Sequence, residues 1–298
     1  MEKMEVTFLG TGNAVPTEKR NHTGILVSFK GESILIDCGE GIQRQFRIAG
    51  ISPTKITRIL ISHWHGDHIL GLPGLLQTLA MSGYSRTLKI YGPNGTHYFM
   101  QLIKSLVGNF HINIEVHEVS GLFLNDRDFS IKAEEMVHDS PCNAYSIVLK
   151  DKLRLDKKKI DKLKLPNSPL LGELQEGRDI IVNGKKIKAK SVTFLDKGKK
   201  ISFVLDTLLD SKVIELVRES DLLISEATFS KDEKEKAKEY KHLTSEDAAT
   251  IAKKSKSKKL IITHISQRYE HMPEIIEKEA KKIFKNTSLV KDFDVVEV

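Results

Sequence analysis

Three histidines and one aspartate lie within six residues, in an H-x-H-x-D-H arrangement formed by His63, His65, Asp67 and His68. An apolar run over residues 58–61 directly precedes them. In an extended segment leaving a strand, His63 and His65 point to the same side and can bind one metal ion together. Asp67 and His68 are adjacent where the chain turns into a helix, so their side chains diverge toward a second position. The spacing predicts two neighbouring metal sites of a kind that suits zinc; the alternative is a histidine-rich surface loop.

The bulk composition is that of a globular chain. At 298 residues and 40% hydrophobic content, the chain can bury a large core in one or two domains. No apolar run approaches the roughly 20 residues of a membrane span, and the N-terminal residues have no signal-peptide profile. Cys38 and Cys142 are distant in sequence, which favours buried free thiols over a disulfide framework. We therefore expect a cytoplasmic protein with no membrane partner.

Positive charge is concentrated in the middle of the chain. The net charge is +7, and residues 150–164 hold eight basic side chains against three acidic ones. Residues 185–200 add seven lysines. This balance suits a polyanionic partner. The alternative is a solvated, lysine-rich surface of the kind that heat-loving organisms favour.

Strand-like and helix-like segments alternate through the first part of the chain, which is typical of the α/β class. A Lys30-Gly31 pair between two apolar runs predicts a hairpin turn. The predicted strands cover residues 5–9, 24–29, 33–36 and 88–91, and the predicted helices cover residues 42–49, 67–82 and 96–106.

A lysine-rich segment at about 150–190 interrupts this pattern. It contains few aromatic residues and two prolines, Pro166 and Pro169. It lies between two further candidate ligands, His138 and Asp206, so it must loop out from the core. We expect a protruding arm, with a tightly packed helical subdomain as the alternative.

The histidine motif resembles the signature of the metallo-β-lactamase superfamily, whose remaining ligands come from loops spread along the chain. His138, Asp206 and His264 each follow a predicted strand, in the order that this resemblance implies. The resemblance implies an α/β fold, a four-layer αββα sandwich forming a single domain over residues 1–298, with the segment at about 150–190 inserted into it.

The same resemblance implies a role for each ligand. His63, His65 and His138 would hold one zinc ion. Asp67, His68 and His264 would hold the other, and Asp206 would bridge them, giving two zinc ions per subunit. Asp67 would also accept a proton from the attacking water. Asp37, in the turn before the first predicted helix, would orient a ligand imidazole.

Four other segments resemble a narrower group, the ribonuclease Z family of tRNA 3′-processing endonucleases. Residues 16–21, Pro-Thr-Glu-Lys-Arg-Asn, resemble its P-x-K-x-R-N loop, and residues 225–229, Ser-Glu-Ala-Thr-Phe, resemble its H-E-A-T-F segment. Residues 242–244 resemble its H-S-T loop, and residues 263–269 its T-H-I-S-x-R-Y segment. The resemblance implies a precursor-tRNA substrate cut to leave a 3′-hydroxyl on the tRNA and a 5′-phosphate on the trailer. It also implies substrate contacts from Arg20 and Asn21 and a homodimer.

His242 and Glu226 are the candidates for a proton donor and its partner. The departing ribose 3′-oxygen needs a proton, which His242 could supply while Glu226 orients the ring and holds it protonated. The alternative for His242 is a structural place beside the capping box that starts at Thr244. For Glu226 the alternative is a turn residue after an apolar strand.

The resemblance also gives the lysine-rich segment a role, because the family has an inserted arm, the exosite, that binds the tRNA elbow through backbone phosphates. Lysines in the first part of the segment could neutralise phosphates without reading sequence. These lysines are Lys157, Lys158, Lys159, Lys162 and Lys164.

Two other classes of function fit the metal motif. One is a small-molecule metallohydrolase of the same fold, acting on a phosphodiester, a sulfate ester or a lactone; it would need neither the basic insertion nor the Arg20-Asn21 loop. The other is a non-catalytic metal or redox module, for which an iron-binding relative would carry Glu instead of His65.

Overall fold

The chain alternates short apolar strands with helices, as the α/β prediction requires. The computed structural model describes residues 3–298. The hairpin at Lys30 and Gly31 is confirmed, with φ values of 47° and 80° that suit a two-residue turn. The elements up to residue 118 are β1 (Glu5–Gly10), β2 (Gly24–Phe29), β3 (Glu32–Ile36), α1 (Ile42–Ile48), β4 (Arg58–Leu60), α2 (Gly66–Ile69), α3 (Leu72–Met81), β5 (Leu88–Gly92), α4 (Thr96–Val107) and β6 (Ile114–Glu118).

The rest of the chain contributes a second set of strands and helices, with the lysine-rich segment between them. Short 3-10 turns cover Pro53–Lys55, Lys231–Glu233 and Gln267–Tyr269. The remaining elements are β7 (Gly121–Asn125), β8 (Phe129–Met136), β9 (Cys142–Leu149), β10 (Lys152–Leu155), α5 (Lys157–Lys162), α6 (Leu170–Gln175), β11 (Ile180–Val182), β12 (Lys185–Ile187), α7 (Ala189–Val192), β13 (Thr193–Asp196), β14 (Lys200–Val204), α8 (Ser211–Leu216), β15 (Leu222–Glu226), α9 (Lys234–Glu239), α10 (Ser245–Lys254), β16 (Leu260–Thr263), α11 (Glu274–Ile283), β17 (Thr287–Leu289) and β18 (Val295–Glu297).

Two seven-stranded mixed sheets form the centre of the molecule. The strand order is β18-β1-β2-β3-β4-β5-β6 in the first sheet and β17-β16-β15-β14-β9-β8-β7 in the second. Within each sheet, one half is antiparallel and the other half is parallel: β3 to β6 in the first sheet and β14 to β17 in the second. Because parallel strands end at the same edge of a sheet, residues that follow them gather along that edge.

Three buried clusters account for the layers. The largest lies between the sheets and includes Phe8, Tyr145 and Phe203. A second cluster packs α1, α3 and α4 against the first sheet, and a third packs α8, α10 and α11 against the second. The predicted four-layer αββα sandwich is confirmed. In the part of the chain that the structure describes, no helix has both the length and the apolar character that a membrane span needs.

The helix predicted over residues 67–82 is wrong as a single element, because the chain breaks between α2 and α3. The Gly71 amide donates to the Cys38 carbonyl, and a side chain at Gly71 would collide with the Gly39 carbonyl oxygen. Pro73 then opens α3 in its first turn, where its missing amide costs no helical hydrogen bond. The break allows α2 to present Asp67 and His68 independently of α3.

The lysine-rich segment forms a small unit with its own core. Antiparallel pairing of β10 with β13 closes the segment at both ends, so it extends to residues 152–196. A second strand pair, β11 with β12, lies beside the helices. The unit is therefore not purely helical, unlike the helical subdomain that was the alternative. The core of this unit consists of Ile160, Leu174, Ile180, Ala189 and Val192.

We predict that the interface between the two sheets dominates the stability of the fold. Phe203 is 1% exposed in this interface, so Phe203→Ala should lower the free energy of unfolding by about 3–5 kcal/mol through lost burial and a residual cavity. Leu106 is 79% exposed, and Leu106→Ala should change stability by less than about 0.5 kcal/mol. Urea unfolding midpoints test both variants, and equal midpoints would contradict this account of the core.

Candidate metal centre and active site

The seven residues predicted as metal ligands come together at one edge of the two sheets. Each follows a strand that ends there: β4 precedes the histidine motif, and β8, β14 and β16 precede the three later ligands. Their donor atoms fall into groups whose members lie within 4.8 Å of one another. One group contains His63, His65, His138 and Asp206, and another contains Asp67, His68 and His264.

Asp206 lies between these two groups. Its Oδ2 is 3.5 Å from the Nε2 of His63 and 3.4 Å from the Nε2 of His68. Its Oδ1 is 3.3 Å from the Nε2 of His264, yet this buried oxygen has no hydrogen-bond partner among the described residues. A buried carboxylate oxygen without a donor is costly unless a cation satisfies it. Imidazole nitrogens and carboxylate oxygens are ligands that zinc accepts, so these residues fit a pair of metal ions.

The outer nitrogens of four imidazoles are held by other groups, which turns their Nε2 atoms toward the centre. Asp37 Oδ2 lies 2.7 Å from the Nδ1 of His68 and also accepts from Ser62 Oγ at 2.6 Å. Ser62 Oγ lies 3.0 Å from the Nδ1 of His63. The Nδ1 of His138 lies 3.2 Å from the backbone carbonyl of Lys241. Such contacts fix the tautomer and orientation of ligand histidines. The role expected of Asp37 matches this geometry.

Thr228 holds the outer nitrogen of His264 in the same way, although the sequence motifs did not predict this role. Its hydroxyl donates to Glu226 Oε2 at 2.6 Å, and its oxygen lies 3.0 Å from the Nδ1 of His264. The ring Nδ1–H can therefore donate to Thr228 and leave Nε2 facing Asp67 and His68. The signal in the sequence was its place in the Ser-Glu-Ala-Thr-Phe segment, two residues after Glu226.

Three residues of this centre have left-handed backbone conformations. Asp37, Asp206 and His264 have φ values of 57°, 42° and 54°, in the left-handed region that residues with a side chain seldom occupy. Conformations of this kind cost free energy and persist where the surroundings fix them. Asp37 and His264 directly follow a strand, and Asp206 is the second residue after β14, so each lies in the turn that leaves a strand end.

The electrostatics of the centre favour ionised carboxylates. Burial raises the pKa of Asp206, but the nearby His264 and His68 outweigh it and hold that pKa well below its usual range. Burial also raises the pKa of Asp67, and His68 and His264 again lower it by more. Burial is the main cause that lowers the pKa of His63. Burial lowers the pKa of His68, but the charges of Asp206, Asp67 and Asp37 raise it above its usual value. The ionised carboxylates thus favour positive charge at this centre, which a metal ion would supply.

His242 and Glu226 form a buried pair beside the ligands. The His242 Nδ1 is 3.2 Å from both oxygens of Glu226, and 3.9 Å from Asp206 Oδ2. Burial lowers the pKa of His242, but the charges of Glu226 and Asp206 more than compensate and raise it to about 9. Glu226 is fully buried and also accepts from the Thr207 amide at 2.9 Å. The His242 side chain keeps 15% of its surface exposed, so its ring can reach a bound molecule.

Comparison with known proteins shows relatives over nearly the whole chain. Ribonuclease Z of Methanothermobacter thermautotrophicus is 40% identical over 299 residues, covering 99% of this chain and 97% of that protein. Ribonuclease Z of Enterococcus faecalis is 37% identical, with 99% and 97% covered. The chain belongs to the ribonuclease Z family.

Solved structures agree with this membership. The crystal structure of human tRNase Z, short form, is 29% identical, with a TM-score of 0.71 over 98% of each chain. The metallo-beta-lactamase fold protein YhfI from Bacillus subtilis, at 22% identity and a TM-score of 0.73, shows the shared fold. A family model described as anti-Pycsar protein Apyc1 matches residues 4–126, which is less than half of the chain.

The loop at residues 16–21, which carries the ribonuclease Z motif, is held by hydrogen bonds of its own side chains. Arg20 is only 8% exposed, and its Nη1 donates to Thr11 Oγ1 and to the Val290 carbonyl, both at 2.7 Å. Asn21 donates its side-chain amide to the Glu40 carbonyl at 2.7 Å. Both side chains thus help to hold the loop, and their contact with substrate stays a prediction.

Asp292 completes this anchor and belongs to none of the family motifs that the sequence displays. Its carboxylate accepts hydrogen bonds from Thr11 Oγ1 at 2.6 Å, from the backbone amide of Asn21 at 2.7 Å and from Gln45 Nε2 at 3.0 Å. Burial raises the pKa of Asp292, and these donors and Arg20 oppose that rise. The loop is therefore fixed to the C-terminal segment of the chain. Gly12 pairs with Ile265, next to the ligand His264, so the anchor reaches the metal centre.

The predicted phosphate-binding lysines lie outside the centre. All five are exposed on or just after α5, in the inserted unit that β10 and β13 close. Their ammonium groups are thus available to a large anionic partner but do not line the site at the strand ends. The five residues are Lys157, Lys158, Lys159, Lys162 and Lys164.

We predict that Arg20 stabilises the folded loop. Arg20→Ala removes two hydrogen bonds from a charged donor and leaves buried acceptors unpaired, which should lower the free energy of unfolding by about 1–3 kcal/mol. Lys19 is exposed in the same loop, so Lys19→Ala should stay within about 0.5 kcal/mol of the parent. Guanidinium chloride unfolding measures the difference. Indistinguishable curves for the two variants would show that Arg20 does not hold the loop.

Proposed function

We propose that this protein is a metal-dependent endoribonuclease that removes the 3′ trailer from precursor tRNA. The products are a tRNA ending in a 3′-hydroxyl and a trailer beginning with a 5′-phosphate. The observation that carries the proposal is the convergence of seven imidazole and carboxylate ligands beside the His242–Glu226 pair, in a chain related to ribonuclease Z over nearly its full length.

The proposed cofactor is a pair of zinc ions in each subunit. His63, His65 and His138 would hold one ion, while Asp67, His68 and His264 would hold the other. Asp206, whose two oxygens face both groups, would bind both ions. When bound, such ions would polarise a phosphoryl oxygen. They would also lower the pKa of bound water, so that the water loses a proton more readily at neutral pH.

The protein's own residues would handle the two protons of the reaction. Asp67 is ionised and reaches into the centre, so its carboxylate would take the proton of the attacking water. His242 would donate a proton to the departing ribose 3′-oxygen. Glu226 would support that donation by orienting the imidazole from its Nδ1 side and favouring its protonated form.

The substrate and assembly follow the same proposal. Exposed lysines on the inserted unit would bind the tRNA backbone far from the cut, because phosphate contacts position an RNA without reading its sequence. The family resemblance supports a homodimer in which this unit serves the neighbouring subunit. A precursor-tRNA substrate supports the expected cytoplasmic location.

The alternative of a small-molecule metallohydrolase leaves several features of the chain unexplained. A small phosphodiester, sulfate ester or lactone has no long anionic backbone for the exposed lysines to bind. The full-length relationship to ribonuclease Z also disfavours it. A non-catalytic metal module is disfavoured by the His242–Glu226 pair, since a static metal site does not need a proton donor.

The proposal predicts one specific cut in a precursor tRNA carrying a 3′ trailer. Purified protein should cleave just after the discriminator base, and a chelator should abolish this activity. Asp67→Ala should also abolish it, while His242→Ala should reduce the single-turnover rate by about 10²–10⁴-fold, as expected for loss of a proton donor. Mapping the product ends on a sequencing gel provides the measurement.

His111→Ala offers a matched control, since that histidine is exposed and none of the ligand groups includes it. It should cleave like the parent. Failure of the parent to cut precursor tRNA, together with rapid turnover of bis(p-nitrophenyl) phosphate, would instead favour the small-molecule hydrolase.

A second prediction concerns the exposed lysines of the inserted unit. Replacing all five by Ala should weaken tRNA binding and reduce the slope of log K against log salt, because fewer counterions are released. A control variant should carry the same charge change on or just after α10 and on α11. The control lysines, all exposed, are Lys253, Lys254, Lys256, Lys281 and Lys282.

Filter-binding titrations at several salt concentrations distinguish the two variants. We expect the control variant to keep a slope closer to that of the parent. Equal slopes for the two variants would show that the lysines of the inserted unit do not bind tRNA.

A further inference from the structure

An aromatic ring is exposed two residues before His242. Tyr240 follows α9 and is 53% exposed. A tight turn holds it there: the Tyr240 amide donates to the Lys236 carbonyl at 2.9 Å, and the His242 amide donates to the Ala237 carbonyl at 2.8 Å. The position of the ring is therefore tied to the position of His242.

The Phe229 ring lies close to both the Tyr240 ring and the His242 ring. The Phe229 ring is 5% exposed and lies 5.9 Å from the His242 ring and 6.4 Å from the Tyr240 ring. The planes of Phe229 and Tyr240 differ by 23°. The Arg268 guanidinium lies 5.1 Å from the Phe229 ring centre and pairs with Glu233. The Tyr240 ring thus rests on a packed base, two ring-to-ring steps from the proposed proton donor.

The Tyr240 hydroxyl does not anchor the side chain to the protein. Within residues 3–298 the hydroxyl makes no hydrogen bond, whereas the hydroxyls of Tyr84, Tyr145 and Tyr269 all do. A tyrosine usually exposes its polar tip and buries its ring. Tyr240 is instead more than half exposed, lies near Phe229 and precedes the proposed proton donor by two residues.

We propose that Tyr240 is a stacking site for the nucleobase of a nucleotide that flanks the cut phosphate. This inference rests on the proposed function, because it requires a single-stranded RNA segment at His242. Such segments are bound by stacking unpaired bases on aromatic side chains, and the contact tolerates any base since each has a flat face. Tyr240 would act by positioning the RNA strand and would leave proton transfer to His242.

The test compares variants of Tyr240 with substrates that lack a base. Tyr240→Ala should lower kcat/KM for precursor tRNA by about 10-fold, mainly through KM, as loss of one base–aromatic contact implies. Tyr240→Phe keeps the ring and should retain parental activity. Tyr98 is 60% exposed on α4, and Tyr98→Ala controls for the loss of an exposed tyrosine.

Precursors with an abasic nucleotide on either side of the cut supply the decisive comparison. On one of the two abasic precursors, the activity of the parent should fall to about the level that Tyr240→Ala shows on the intact precursor. The activity of Tyr240→Ala should be the same on that abasic precursor as on the intact one. If the parent cleaves both abasic precursors as well as the intact one, or if the two losses multiply on each, stacking on Tyr240 is excluded. A parent that cleaves no precursor tRNA would overturn the proposed function instead.

Discussion

A buried carboxylate between two groups of imidazoles is the constraint on which the rest of the structure depends. Asp206 is 3% exposed, and its two oxygens face ligand nitrogens from three segments of the chain, those that follow β4, β8 and β16. A charge buried in this way is tolerated only when opposite charges surround it. The strand ends must therefore bring His63, His68 and His264 to it, and the two sheets with their outer helices hold those ends in place.

The side chains that orient the ligand histidines come from several parts of the chain. Asp37, Ser62 and Thr228 each hold the outer nitrogen of a ligand histidine, and they come from three different loops. Thr228 also binds Glu226, which faces His242. A single hydroxyl thus connects the metal centre to the proposed proton donor. Changes at Thr228 should affect metal binding and proton transfer together.

Local patterns and family resemblance predicted the layers of the fold and the positions that meet at its edge. The H-x-H-x-D-H motif is local, so its spacing alone indicated metal binding. His138, Asp206 and His264 could be proposed because each follows an apolar strand in the family's order. Residue type did not reveal burial, however. Arg20 is a cation in a loop motif, which suggests phosphate binding, yet it is buried and donates to the Val290 carbonyl, so it is also part of the scaffold. The break at Gly71 likewise depends on contact with Gly39, which is distant in sequence.

We propose that one buried centre holds two metal ions, with Asp206 between them. Anomalous diffraction from crystals of the zinc-loaded protein, collected above and below the zinc absorption edge, tests it most directly. We expect two peaks in each chain: one among His63, His65 and His138, and one among Asp67, His68 and His264, both in contact with Asp206. A single peak in each chain, or peaks away from Asp206, would contradict it.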